Sequence, residues 1–353
     1  MIDARGRVVT PGFVDCHTHA CYEGERLDEW EMKLAGKAYL DILAGGGGIM
    51  SSVRSVRATP TRTLADGVLR RTREMAAYGT TTVEVKSGYG LDEATEVRML
   101  EAIALAEAES PLRITPTFLG AHAKDADDPQ FVDRMIEKTI PAIAARFPGI
   151  VADAYCEQGA WSVAECLRYF EKARTLGLGI RVHTDQFNSL GMVEHGVALG
   201  ARSLDHLEAA SDTDLERIAR SSTIAVGLPA ASFCLATPCI RAREFLDMGG
   251  ALALATNANP GSAPVRGIPL IVAFGVREMK MTSAEALSSV TFNAACVLGL
   301  ESTCGSIAPG MSADLVLWPH TDERSLGYEI AGALPDLVLA RGERVAGSID
   351  VIR

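Results

Sequence analysis

One pattern constrains the fold of this chain more than any other: a short apolar run, a polar residue at its end, then a stretch of helical period. The runs are RVVTPGFVDCHTH, TTTVEVKSG, RITPTFLGAH, IVADAYCE, GIRVHTD, RSLDHLE, TIAVGLPA and ALALATNANPG. Between most of them lie amphipathic stretches such as DEATEVRMLEAIALAEAES and SVAECLRYFEKARTLG. Apolar runs bounded by turn residues read as buried strands, and their alternation with helices reads as repeated βα units. Eight such units is the count of a TIM (β/α)8 barrel. An open, doubly wound sheet alternates in the same way, so the count alone leaves both.

The polar residues decide between them. His17 and His19 end the first run, Lys86 and Ser87 the second, His122 the third, Glu157 the fourth, His183 the fifth, His206 the sixth and Asn257 the eighth. In a barrel the carboxyl ends of all strands meet at one mouth, where active sites are built. Five of the seven histidines fall at such ends. His195 sits in a helical stretch and His320 in a turn of the tail, so neither is a site candidate. The expected fold is therefore an α/β TIM barrel over residues 11–300. Segments 1–10 and 301–353, with short strands such as ADLVLWPH and DLVLARGERVAG, are expected to form a small, incomplete β sandwich.

Composition narrows the partner. With 48% hydrophobic and 22% charged residues among 353, the chain can bury a large core. Its net charge of -11 and its lack of a Lys/Arg run argue against nucleic acid and anionic membranes, leaving a small molecule. Eight cysteines form no CxxC pair and read as reduced core residues. MIDARGRVVTPG has no apolar signal segment, and no uncharged stretch approaches the ~20 residues of a membrane span. A cytoplasmic protein is expected.

The chemistry starts from HTH. Residues i and i+2 of a strand share a face, so His17 and His19 offer two imidazoles to one metal. His183 at another strand end supplies a third, a polar residue stands at the end of the eighth run, and three protein ligands with an open position is the catalytic pattern for zinc. Imidazoles suit Zn²⁺ or Fe²⁺. A divalent ion of this kind lowers the pKa of water to ~7, and hydrolysis of a C–N bond is the natural reaction. His122 and His206 are placed to donate to an oxyanion or to move protons.

The stretches DCHTHACYEGER, AGGGGIMSSVRSVRA, TTVEVKSGYGLD, TFLGAHA, YCEQGAWS, HTDQFNSLG, LDHLE and NANPGS resemble the amidohydrolase superfamily, and within it the imidazolonepropionase family. The glycines 45–48 belong to this likeness; no P-loop Lys-Ser/Thr follows them. The resemblance implies one bound metal and the opening of 4-imidazolone-5-propanoate to N-formimidoyl-glutamate, with water expected to attack the ring carbon between the two nitrogens. It implies His17, His19, His183 and residue 257 as metal ligands and Arg26 as the clamp on the substrate's propionate. It further implies Tyr39, His122 and Asn259 as substrate contacts, Gln186 as the residue that positions water, and a homodimer.

Two departures accompany the likeness. The family carries aspartate at position 257, whereas Asn257 offers a carbonyl oxygen without charge or useful basicity. Three readings stay open: a substitution that traps substrate, a base role moved to His206 or His122, or a protein that binds without turnover. A deaminase is the remaining enzyme alternative, although those enzymes carry glutamate where HTDQ has Gln186. The second departure is at the start, where several dozen residues of family β structure have no counterpart, so open edges are expected in the small β domain.

Overall fold

The computed structural model describes residues 2–37, 47–125, 128–330, 332 and 334–348. Tyr39 and the first two glycines of the glycine loop lie outside these residues. Eight parallel strands follow one another in chain order around one sheet: β2 (Phe13–Asp15), β3 (Thr80–Lys86), β4 (Arg113–Ala121), β5 (Val151–Cys156), β6 (Gly179–Thr184), β7 (Ser203–His206), β8 (Ile224–Gly227) and β9 (Leu252–Leu254). Every apolar run of the repeating pattern contributes one of them. The two ends of the sheet are joined beyond the strands proper. His19 N–H donates to Ala258 O at 3.0 Å and Asn257 N–H to His17 O at 3.0 Å, on either side of a parallel bridge between Thr18 and Ala258. Asp15 adds to this seam by accepting from the backbone N–H and the hydroxyl of Thr256.

The strands are buried on both faces, as parallel strands covered by helices must be. In the second half of β3 the side chains alternate: Val83 and Val85 are buried apolar side chains, while Glu84 and Lys86 share the other face, pair with each other and reach Arg181 and Asp153 on other strands. Outside, helices begin where the sequence supplies caps. Ser162 with Glu165, Ser211 with Asp214 and Thr282 with Glu285 each form a reciprocal capping box at the start of helices Val163–Thr175, Asp212–Ala219 and Ser283–Ser289. Each cap contributes about 1 kcal/mol by satisfying N–H groups that have no partner within the helix.

The first apolar run yields two strands rather than one. Val9–Pro11 forms β1, which leaves the barrel to pair antiparallel with β10 (Leu315–Leu317); β11 (Leu337–Ala340) and β12 (Glu343–Gly347) complete a sheet in the order β1-β10-β11-β12. The break falls at Pro11-Gly12, where a side chain on residue 12 would lie 2.1 Å from the Thr81 hydroxyl, so only glycine lets the chain pass β3 this closely. Among the described residues this domain is one antiparallel layer, not a sandwich. It is tied to the barrel by Trp318, whose ring lies 5.5 Å from that of Phe13 and whose Nε1–H donates to Thr10 Oγ1.

Two further expectations shift. β2 ends at Asp15, so His17 and His19 stand beyond the strand; they still face one site because the segment stays extended against Ala258. All eight cysteines are free, and Cys234, Cys239 and Cys296 are partly exposed rather than core. Among the described residues no helix is long and apolar enough to cross a membrane.

Candidate active site

Three imidazoles converge at the carboxyl end of the barrel. One nitrogen from each of His17, His19 and His183 lies within 4.8 Å of the others, and all three side chains are buried. Their orientation follows from the other ring nitrogen. His17 Nδ1–H donates to Asp205 Oδ2 at 2.6 Å and His183 Nδ1–H to Asp153 Oδ1 at 3.1 Å. A carboxylate only accepts, so both rings must keep the lone pair on Nε2. His17 Nε2 and His19 Nδ1 are buried without a hydrogen-bond partner among the described residues, and so is Asn257 Oδ1. Buried polar atoms are rarely left unmatched, and a cluster of lone pairs is what a cation satisfies. Burial is the main cause that pushes all three imidazoles below the ordinary histidine range, which keeps them in the neutral form a metal needs.

Beneath the imidazoles lies a closed set of buried charges. Lys86 Nζ donates to Glu84 at 2.6 Å and to Asp153 at 2.8 Å; Arg181 donates to Glu84, to Asp205 Oδ2 at 2.6 Å and to the carbonyl of Cys16. Burial works against charge on Asp153, but the adjoining His183 and Lys86 outweigh it and hold that carboxyl well below its ordinary range. Three carboxylates, Glu84, Asp153 and Asp205, thus meet two cations, Lys86 and Arg181. The surplus negative charge is suited to a divalent ion above it.

The rim surrounds this centre. His206, the last residue of β7, has its ring 5.6 Å from that of His183, and its Nδ1 is 3.2 Å from Glu208 Oε1. The His122 ring stacks on His19 at 5.1 Å, with Nδ1–H donating to Gly88 O. Gly88 has φ +109°, and a side chain there would press on Leu119 O and His122 Nδ1, so the glycine of KSGYG allows that contact. Burial pushes His122 down to about 3. Gln186 accepts from the Tyr155 hydroxyl at 2.8 Å. Asn259 spends its amide within the NPGS turn, donating to Asn257 O and accepting from Gly261 N–H and Ser262 N–H. Arg26 pairs with Glu29 at 2.5 Å, and its guanidinium lies against Gly261 of the same turn.

Other proteins resemble this chain in sequence and fold. The amidohydrolase family profile matches residues 8–342. The imidazolonepropionase of Chloroflexus aggregans is 43% identical over 98% of this chain and 84% of its own length. That of Herpetosiphon aurantiacus is 42% identical over 98% and 83%. The chain belongs to the imidazolonepropionase family. Like other amidohydrolases, members of this family are metal-dependent hydrolases acting on carbon–nitrogen bonds. The fold is wider than the family. A 5-methylcytosine deaminase from Klebsiella pneumoniae superposes with a TM-score of 0.76 at 17% identity, over 100% of this chain and 90% of its own. A zinc-bound adenosine deaminase from Xanthomonas campestris does so with a TM-score of 0.68 at 16%, over 96% and 80%.

Of the residues singled out in the sequence, the imidazolonepropionase-like fold brings His17, His19, His183, His206, His122 and Asn257 to one mouth. Asp153, Asp205, Glu84, Arg181 and Glu208 were given no role in the sequence reading. The signal existed: Asp153, Glu84 and Arg181 are charges inside apolar strands, each two residues from another polar residue of the site.

Proposed function

We propose that this chain hydrolyses 4-imidazolone-5-propanoate to N-formimidoyl-glutamate, with His17, His19, His183 and Asn257 as the residues that would hold one zinc or iron ion. The observation that carries this reading is the trio of buried imidazoles that bring one nitrogen each within 4.8 Å of one another at the barrel mouth, with His17 Nε2 and Asn257 Oδ1 left without a partner among the described residues. A divalent ion there supplies Lewis acidity and lowers the pKa of water.

Atom balance corrects one expectation about the chemistry. The formimidoyl carbon keeps both nitrogens in the product, so water adds to the ring carbonyl carbon and the ring amide C–N bond breaks; the carbon between the nitrogens is not attacked. A proton must leave the water and one must reach the departing nitrogen. Asn257 has no basicity for this. His206, with Nδ1 engaged by Glu208, keeps its Nε2 lone pair and is the group to move that proton. His122 is neutral with Nδ1–H committed to Gly88 O, so its Nε2 accepts a substrate N–H and does not donate to an oxyanion. Arg26 clamps the propionate by exchanging its bond to Glu29 for one to the substrate. Asn259 acts by holding the turn against Arg26, Gln186 orients water, and Tyr39 contacts substrate. The homodimer carries over from the family resemblance.

The test is turnover of the imidazolone by protein loaded with zinc or with iron, against metal-free protein. Binding without turnover in both loaded forms would replace the hydrolase with the second reading, a binding protein on the same barrel, which Asn257 favours. Deamination has no comparable support, since the deaminase structures share the fold alone and Gln186 lacks a carboxylate.

A further inference from the structure

We propose that Glu208 is a positioning residue for His206, fixing the tautomer in which Nε2 holds the lone pair that takes the proton from water. The proposal rests on the base role just assigned to His206. Glu208 Oε1 lies 3.2 Å from His206 Nδ1, and the two side chains are 5% and 4% exposed. A carboxylate at a ring nitrogen demands N–H there, and among the described residues the other nitrogen takes no protein hydrogen bond.

The local backbone is built for this contact. His206 and Leu207 both adopt left-handed φ, 86° and 68°, a costly pair for non-glycine residues. The bonds Leu207 N–H to Thr184 O and Ala209 N–H to Asp185 O hold the segment in place, and the result brings the side chain of residue 208 back to the ring of residue 206. The Ser232 hydroxyl donates to the same Oε1 at 3.1 Å and orients the carboxylate. Glu208 Oε2 is buried without a partner among the described residues, a cost that loop anchoring through Ser232 alone does not require. Asn257, in the same mouth, has no basicity. In this chain the burden falls on the imidazole, so its tautomer matters more.

Glu208→Gln keeps the shape but can present an N–H to Nδ1, which selects the opposite tautomer. The test uses the full-length, zinc-loaded protein with ¹⁵N-labelled histidine, His206 being assigned by the signal lost in His206→Gln. Parent protein is expected to show the Nδ1–H form and Glu208→Gln a shift toward Nε2–H. The kcat of Glu208→Gln should fall roughly 10²- to 10⁴-fold while KM stays within about threefold. Glu208→Asp should recover part of the loss, and Ser232→Ala should remain within about tenfold of the parent. An Nε2–H ring in the parent, or an unchanged tautomer in Glu208→Gln, overturns the proposal. So does Ser232→Ala costing as much as Glu208→Gln. If the parent has no turnover the hydrolase reading fails, and the tautomer alone still decides this one.

Discussion

Asp205 Oδ2 lies 2.6 Å from His17 Nδ1, and both side chains are completely buried. The same oxygen accepts from Arg181 Nη2 at 2.6 Å, so the ring of one candidate ligand is locked to a charge network that also reaches His183 through Lys86 and Asp153. Asp205→Asn places an N–H donor where His17 needs an acceptor. Zinc affinity, measured by competition with a chromogenic chelator, should fall about 10- to 100-fold. Unchanged affinity would separate Asp205 from the metal centre.

Asn257→Asp should raise both metal affinity and turnover. Residue 257 has φ 54°, a region that asparagine and aspartate tolerate better than other side chains, so the exchange needs no backbone change. Restoring a positioned base is worth about 10²- to 10⁴-fold in rate. Metal content by mass spectrometry and kcat should rise together; no change in either removes position 257 from the mechanism.

Arg26→Ala should act on binding. Losing a charge-assisted bond to the propionate costs about 1.5–3 kcal/mol, which is roughly a 10- to 100-fold rise in KM with kcat little altered. A variant that loses kcat at constant KM would assign Arg26 to the chemistry instead.

Glu285 provides a pH-dependent term away from the site. Its hydrogen bonds to Arg243 are the main cause that holds it at about 2, below the ordinary 4.5. A depressed carboxyl stabilises the fold above its unfolded value and loses that contribution as pH falls toward the folded one. The stability difference between the parent and Glu285→Gln, from urea midpoints, should therefore be full at pH 6 and shrink between about 4.5 and 2. A difference that grows on acidification would reverse the assignment.

The alternation of apolar runs and amphipathic stretches was enough to specify eight βα units, because strand and helix periods are local properties of the chain, and the polar residues at the ends of the runs then pointed to a closed barrel. HTH, the histidines at strand ends and the NANPGS turn were legible for the same reason, since each lies at a boundary the pattern itself marks. The split of the first run at Gly12 was not legible, because it depends on the Thr81 side chain opposite. Nor was the pairing of His17 with Asp205 or of His183 with Asp153, partners 188 and 30 residues apart. Only closure of the barrel, through the seam between Thr18 and Ala258, gives the imidazoles a common point. Which nitrogen each presents there is decided by the buried carboxylate behind it, a relation that exists in three dimensions and leaves no spacing in the sequence.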